Sequence, residues 1–126
     1  MFEMKSGYIV GVSSVAGYRG LPRATAYGAS KAALTHFLES ARFTLEKSNI
    51  DVSVVSPGFV ETPLTDKNDF EMPMLISAEA AAESFVAGLE KRSLEIHFPK
   101  KFSYLMKFLR IIPYPLYHRL IASKVA

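Results

Sequence analysis

The 126-residue chain predicts an α/β fold: a parallel sheet of about three strands, helices on its faces and a helical tail. Three observations carry this. Short runs rich in Val and Ile recur three times, bounded by Gly, Pro and Ser. Long Ala- and Leu-rich segments separate them. Connections of that length join parallel strands, because antiparallel neighbours need only a tight turn.

The first run, SGYIVGVSS (Ser6–Ser14), reads as a buried strand ending near Ser13. VAGYRGLPR holds Gly17, Gly20 and Pro22, so it reads as a loop. A long helix follows from about Thr25 to Lys47. It has no Pro, and Ala33, Phe37, Ala41 and Leu45 recur every fourth residue, with Leu34 and Leu38 widening the stripe. Asn49 suits the stop. IDVSVVSPG is the second strand, ended by Pro57-Gly58. Residues 59–76 read as a mobile segment. Ser77 is the expected N-cap of a helix to Arg92, with Glu79 and Glu83 early and Lys91 and Arg92 late, as the helix dipole favours. LEIHFP (Leu94–Pro99) is the third strand. Pro113 and Pro115 split the tail into helices near Lys100–Ile112 and Pro115–Ser123.

Composition narrows the functional classes. The chain has no cysteine, which excludes disulfides and thiolate metal sites and fits a cytoplasmic protein. No apolar stretch approaches the length of a membrane span, and YIVGV is too short for the core of a signal peptide. His36, His97 and His118 stand at spacings that match no metal motif, so no metal site is expected. Residues 1–95 carry nine Lys and Arg against twelve Asp and Glu. Residues 96–126 carry six Lys and Arg and no acid. The basic character therefore belongs to the tail, and a nucleic-acid footprint over the whole chain is not expected.

The chemistry concentrates at one rim. In an open parallel sheet, ligands bind beyond the carboxyl ends of the strands. SSVAG leaves the first strand there and SPGFVET leaves the second. YGASK opens the long helix, and its Tyr27 and Lys31 share one helical face. An ammonium beside a phenol favours the tyrosinate, so Tyr27 is a candidate acid/base at an alcohol or ketone oxygen. Ser14 is a candidate to orient that oxygen. The set moves a proton but holds no hydride, which a cofactor must supply.

These residues resemble the short-chain dehydrogenase/reductase family. YGASK looks like its Tyr-x-x-x-Lys motif, Ser14 stands thirteen residues before Tyr27, and SPGFVET looks like its Pro-Gly-x-x-x-Thr segment. The resemblance runs from about Gly7 to Pro99. It implies a partial Rossmann-type fold and an NAD- or NADP-dependent oxidoreductase interconverting an alcohol and a carbonyl. By that resemblance Tyr27 is the acid/base, Lys31 holds the nicotinamide ribose, and Ser14 positions the substrate carbonyl. Pro57 and Gly58 shape the nicotinamide pocket, and backbone from Phe59 and Val60 lines it. Thr62 bonds the cofactor, and Thr62 to Ile76 form a lid. The long helix, with its small Ala29, Ala32 and Ala33, implies a homo-oligomer interface.

The family's Gly-x-x-x-Gly-x-Gly turn between a strand and a helix is absent from these 126 residues. The expectation is a C-terminal piece of an oxidoreductase, residues 1–99, followed by a tail, residues 100–126. The alternative is a non-catalytic truncated remnant acting as an interaction or membrane-surface module. In the tail, Phe102, Leu105, Met106 and Leu109 make one apolar stripe and Lys100, Lys101, Lys107 and Arg110 add cations. Two readings stay open: packing on the protein's own core or a second subunit, or lying on an anionic membrane surface, with a lipid-like substrate.

Overall fold

A computed structural model describes residues 3–60 and 74–125. Three strands, β1 (Gly7–Val12), β2 (Ile50–Pro57) and β3 (Glu95–Phe98), form one parallel sheet in the order β1-β2-β3. Helix α1 (Thr25–Leu45) joins β1 to β2, and α2 (Ala78–Lys91) lies between β2 and β3. The tail is α3 (Lys100–Ile111) and α4 (Tyr114–Val125). The predicted α/β architecture is present, and the middle strand is the most deeply buried element. β1 lies at one edge of this sheet and β3 at the other.

Alternation along β2 assigns each helix its face. Val52 and Val54 pack with Ile9 and with Leu34, Leu38 and Leu45 of α1. Val55 points the other way, to Ile96, Phe98 and Ala81, Phe85 and Leu89 of α2. The helices therefore sandwich the sheet, as strand periodicity requires when both faces are apolar.

The expected apolar stripe on α1 is corrected in its orientation. Ala33 and Phe37 are exposed, while Leu38 is buried. Gly11 explains the choice, since a Cβ there would collide with the Leu38 side chain. One turn later Arg42 donates to the carbonyls of Val52 and Leu94. Leu38 and Arg42 thus fix which side of the helix faces the sheet. Asn49 ends the segment in the left-handed conformation (φ 57°) that Asn tolerates. Ser77 caps α2 by accepting from the Ala80 N–H.

The tail packs on its own body. Phe102 and Met106 are buried with Val15 and Tyr18, and Leu21, Phe59 and Leu109 close around them. Leu105 was expected in that stripe and is instead exposed. The inner arc of the helix is Phe102, Ser103, Met106 and Leu109, which leaves Leu105 on the outer side.

Candidate active site

β1 delivers the first site residue. Just past it, Ser13 is buried and its hydroxyl bonds the Lys31 carbonyl at 2.9 Å and Thr35 Oγ1 at 2.6 Å. Ser13 pins the loop to α1, and Ser14 beside it is also buried. Ser14 caps the short 3-10 turn Val15–Gly17, its Oγ accepting from the Ala16 N–H at 3.1 Å. That bond uses a lone pair, so the hydroxyl hydrogen remains for donation to a ligand oxygen.

Two glycines let this turn lie on the start of α1. A Cβ on Gly17 would stand 2.9 Å from backbone atoms of Lys31 and Ala32, and one on Gly28 would stand 3.0 Å from the Ala16 carbonyl oxygen. Side chains at either position would push the serine loop off the helix. The glycine inside YGASK therefore has a packing reason that the motif alone does not reveal. Sequence reasoning missed Gly17, Gly28 and Ser13. The Ser-Ser doublet was the one available signal for Ser13.

Tyr27 and Lys31 sit on one face of α1. Tyr27 is 54% exposed. The Lys31 ammonium lies 5.7 Å from the Tyr27 ring centroid and donates to the Val12 carbonyl at 3.0 Å. That bond anchors Lys31 at the carboxyl end of β1, where Ser14 also begins. From the second strand, Gly58 donates its N–H to the Phe98 carbonyl at 2.8 Å. Its bare Cα abuts Pro99 and Phe102. The Val60 side chain packs into the α2-side core, and Val60 pairs with Ile76 in a parallel bridge. Thr62 and most of the expected lid, residues 62–73, lie outside the described residues.

A second polar cluster links the loop after Ser14 to β3 and α3. The Tyr18 hydroxyl donates to Glu95 Oε2 at 2.5 Å, and Lys107 pairs with Glu95 Oε1. Burial and then the bond to Glu95 push the Tyr18 phenol well above its ordinary range. Burial opposes ionisation of Glu95, yet hydrogen bonds from Lys107 and Tyr18 hold its carboxyl below the usual value. Beside it, His97 bonds Ser103 Oγ at 2.5 Å. Ser103 directs its own hydrogen to the Pro99 and Lys100 carbonyls. Nδ1 of His97 is thus the donor, which leaves Nε2 facing Lys100 Nζ at 3.5 Å as acceptor. Burial, then the nearby Lys107 and Lys100, lower the His97 pKa.

This arrangement predicts acid sensitivity. In the folded chain both His97 and Glu95 hold protons less tightly than in the unfolded chain, so the unfolded state gains protons as pH falls. The urea midpoint should drop as pH falls below the ordinary histidine value of 6.5, and again below the ordinary Glu value of 4.5. His97→Gln should remove the first decline and Glu95→Gln the second. A midpoint that rises on acidification through this window would contradict the assignment.

A three-stranded parallel sheet flanked by helices, with the serine loop and the Lys31 ammonium at the carboxyl end of β1, is a partial Rossmann-type α/β fold. The chain belongs to the short chain dehydrogenase family, whose sequence pattern it matches over residues 1–72. It is 40% identical over 117 residues to an uncharacterized oxidoreductase of Myxococcus xanthus, covering 93% of this chain and 46% of that protein. It is 29% identical over 135 residues to dehydrogenase/reductase SDR family member 7B of Bos taurus, covering 98% of this chain and 42% of that one. Among solved structures, it is similar to a short chain dehydrogenase from Burkholderia cenocepacia in complex with NADP. That match has 27% identity and a TM-score of 0.78, and covers 95% of this chain and 49% of the other. The chain thus spans less than half the length of these relatives.

Proposed function

We propose that this chain is the proton-transferring half of an NAD(P)-dependent oxidoreductase that interconverts an alcohol and a carbonyl. The observation that carries it is the joint placement of Ser14 and Lys31 at the carboxyl end of β1, with Tyr27 one helical turn from Lys31. Ser14 donates to the substrate oxygen and orients it. Tyr27 passes a proton to that oxygen in reduction and takes one in oxidation. Lys31 brings positive charge to the same rim and offsets the charge that develops as the proton leaves. A nicotinamide group, when bound, supplies the hydride. The donor set fits its ribose end: Lys31, Tyr27, the Pro57-Gly58 bend and the Val60 backbone would hold that group, with Thr62 beyond them. The exposed outer face of α1, around Ala33 and Phe37, suits a homo-oligomer contact.

The phosphates are another matter. Such groups are held by a Gly-rich turn at a helix N-terminus, and no such turn stands in these residues. The 126-residue protein should therefore bind NADPH more weakly than micromolar by titration calorimetry. A fusion behind the amino-terminal half of a family member should bind it in the micromolar range or tighter. Micromolar binding by the 126 residues alone would overturn this division of labour. A second reading, a non-catalytic interaction or membrane-surface module, is favoured by one observation: the tail keeps an exposed apolar face beside its cations.

A further inference from the structure

We infer that the outer face of α3 docks on an anionic lipid bilayer, and that Arg19 fixes this face relative to the Ser14 loop. α3 is apolar on two sides. Phe102, Met106 and Leu109 are consumed by the core. Tyr104, Leu105, Phe108 and Ile111 remain in solvent, with Phe108 56% and Ile111 76% exposed. Helical spacing gathers Tyr104, Phe108 and Ile111 on one side and sets Lys101 and Leu105 beside them. Lys100 and Lys101 are both exposed.

Charge selects the occupant. Residues 96–126 contain no Asp or Glu. A second copy docked face to face would bring like cations together with no acid to receive them. An anionic headgroup layer satisfies both features, taking the cations at its surface and the apolar side chains at the acyl boundary. A helix of 12 residues lies in that plane and does not cross it.

The end of α3 is tied to the loop that follows Ser14. Arg19 Nη1 donates to the carbonyls of Leu109 at 2.8 Å, Arg110 at 3.2 Å and Ile112 at 2.6 Å, where α3 ends. Its guanidinium also lies 4.6 Å and 4.2 Å from the Tyr114 and Tyr117 ring centroids. The Tyr117 hydroxyl donates to the Gly20 carbonyl. The docked helix and the loop from Ser14 to Gly20 then behave as one body. Taken with the proposed oxidoreductase activity, this points to a lipid-like alcohol or carbonyl as substrate.

Flotation of the 126-residue protein with phosphatidylcholine vesicles, with and without phosphatidylserine, tests the docking without cofactor or turnover. Binding should require phosphatidylserine and weaken with salt. Phe108→Asp with Ile111→Asp should lower it by about tenfold or more, and Lys101→Glu by about fivefold. Phe37→Asp, on the equally exposed face of α1, should leave it unchanged. Circular dichroism confirms that each variant is folded. Failure to float with either vesicle would overturn the inference, as would equal loss in Phe37→Asp. So would a dimer, seen by light scattering, that the α3 variants dissolve without any vesicle binding. None of these failures touches the oxidoreductase reading, which rests on Tyr27 and Ser14.

Discussion

Replacing Tyr27 with Phe should lower carbonyl reduction by about 10²- to 10⁴-fold, the range for removing a positioned acid/base. The assay uses this chain fused behind an amino-terminal nucleotide-binding half from a family member. Phe keeps the ring and its place beside Lys31 and removes only the hydroxyl. Tyr27 is largely exposed, so the fold has little stake in it. Cofactor affinity should stay within a few-fold. If turnover persists, another group carries the proton. If cofactor binding collapses as well, Tyr27 serves binding rather than chemistry.

The second large effect is expected at a residue with no functional group. Gly17→Ala places a methyl 2.9 Å from the Lys31 and Ala32 backbone, which has no side chain to swing aside. The loop must move, and Ser14 moves with it. A displacement of about 1 Å at a positioning group costs about 10²-fold in turnover. The overpacking should also cost about 1–3 kcal/mol of stability, read by urea unfolding. Gly20 is the control within the same loop, since a Cβ there meets no atom within 4 Å. Gly20→Ala should be nearly silent in both measurements. If the two substitutions behave alike, the loop does not depend on that close approach.

Periodicity and punctuation made most of the fold legible. Gly, Pro and Asn mark chain breaks by backbone sterics, so strands and helices could be placed within a few residues. The rotation of α1 was not legible. Ala33, Phe37 and Ala41 form as regular a stripe as Leu34, Leu38 and Leu45, and only contact with Gly11 and the β2 carbonyls decides between them. The tail shows the same ambiguity, because α3 is apolar on opposite sides and packing consumes only one.

Ser14, Tyr27 and Lys31 stand out in the sequence as candidates because proton transfer requires particular residue types. Their supports do not. Ser13 acts by bonding α1, and Gly17 and Gly28 act by what they lack. Arg19 reads as an ordinary surface cation until α3 ends against it. Such roles depend on neighbours distant in sequence, as does the brace of Tyr18, Glu95 and Lys107.

The central claim is that this rim completes a hydride-transfer site. Transfer of deuterium from NADPH carrying deuterium at both nicotinamide C4 positions to a ketone, by the folded fusion, tests it most directly. The account predicts one deuterium on the carbinol carbon of the product for each NADPH oxidised. A folded, NADPH-binding fusion that leaves every ketone unlabelled would contradict it.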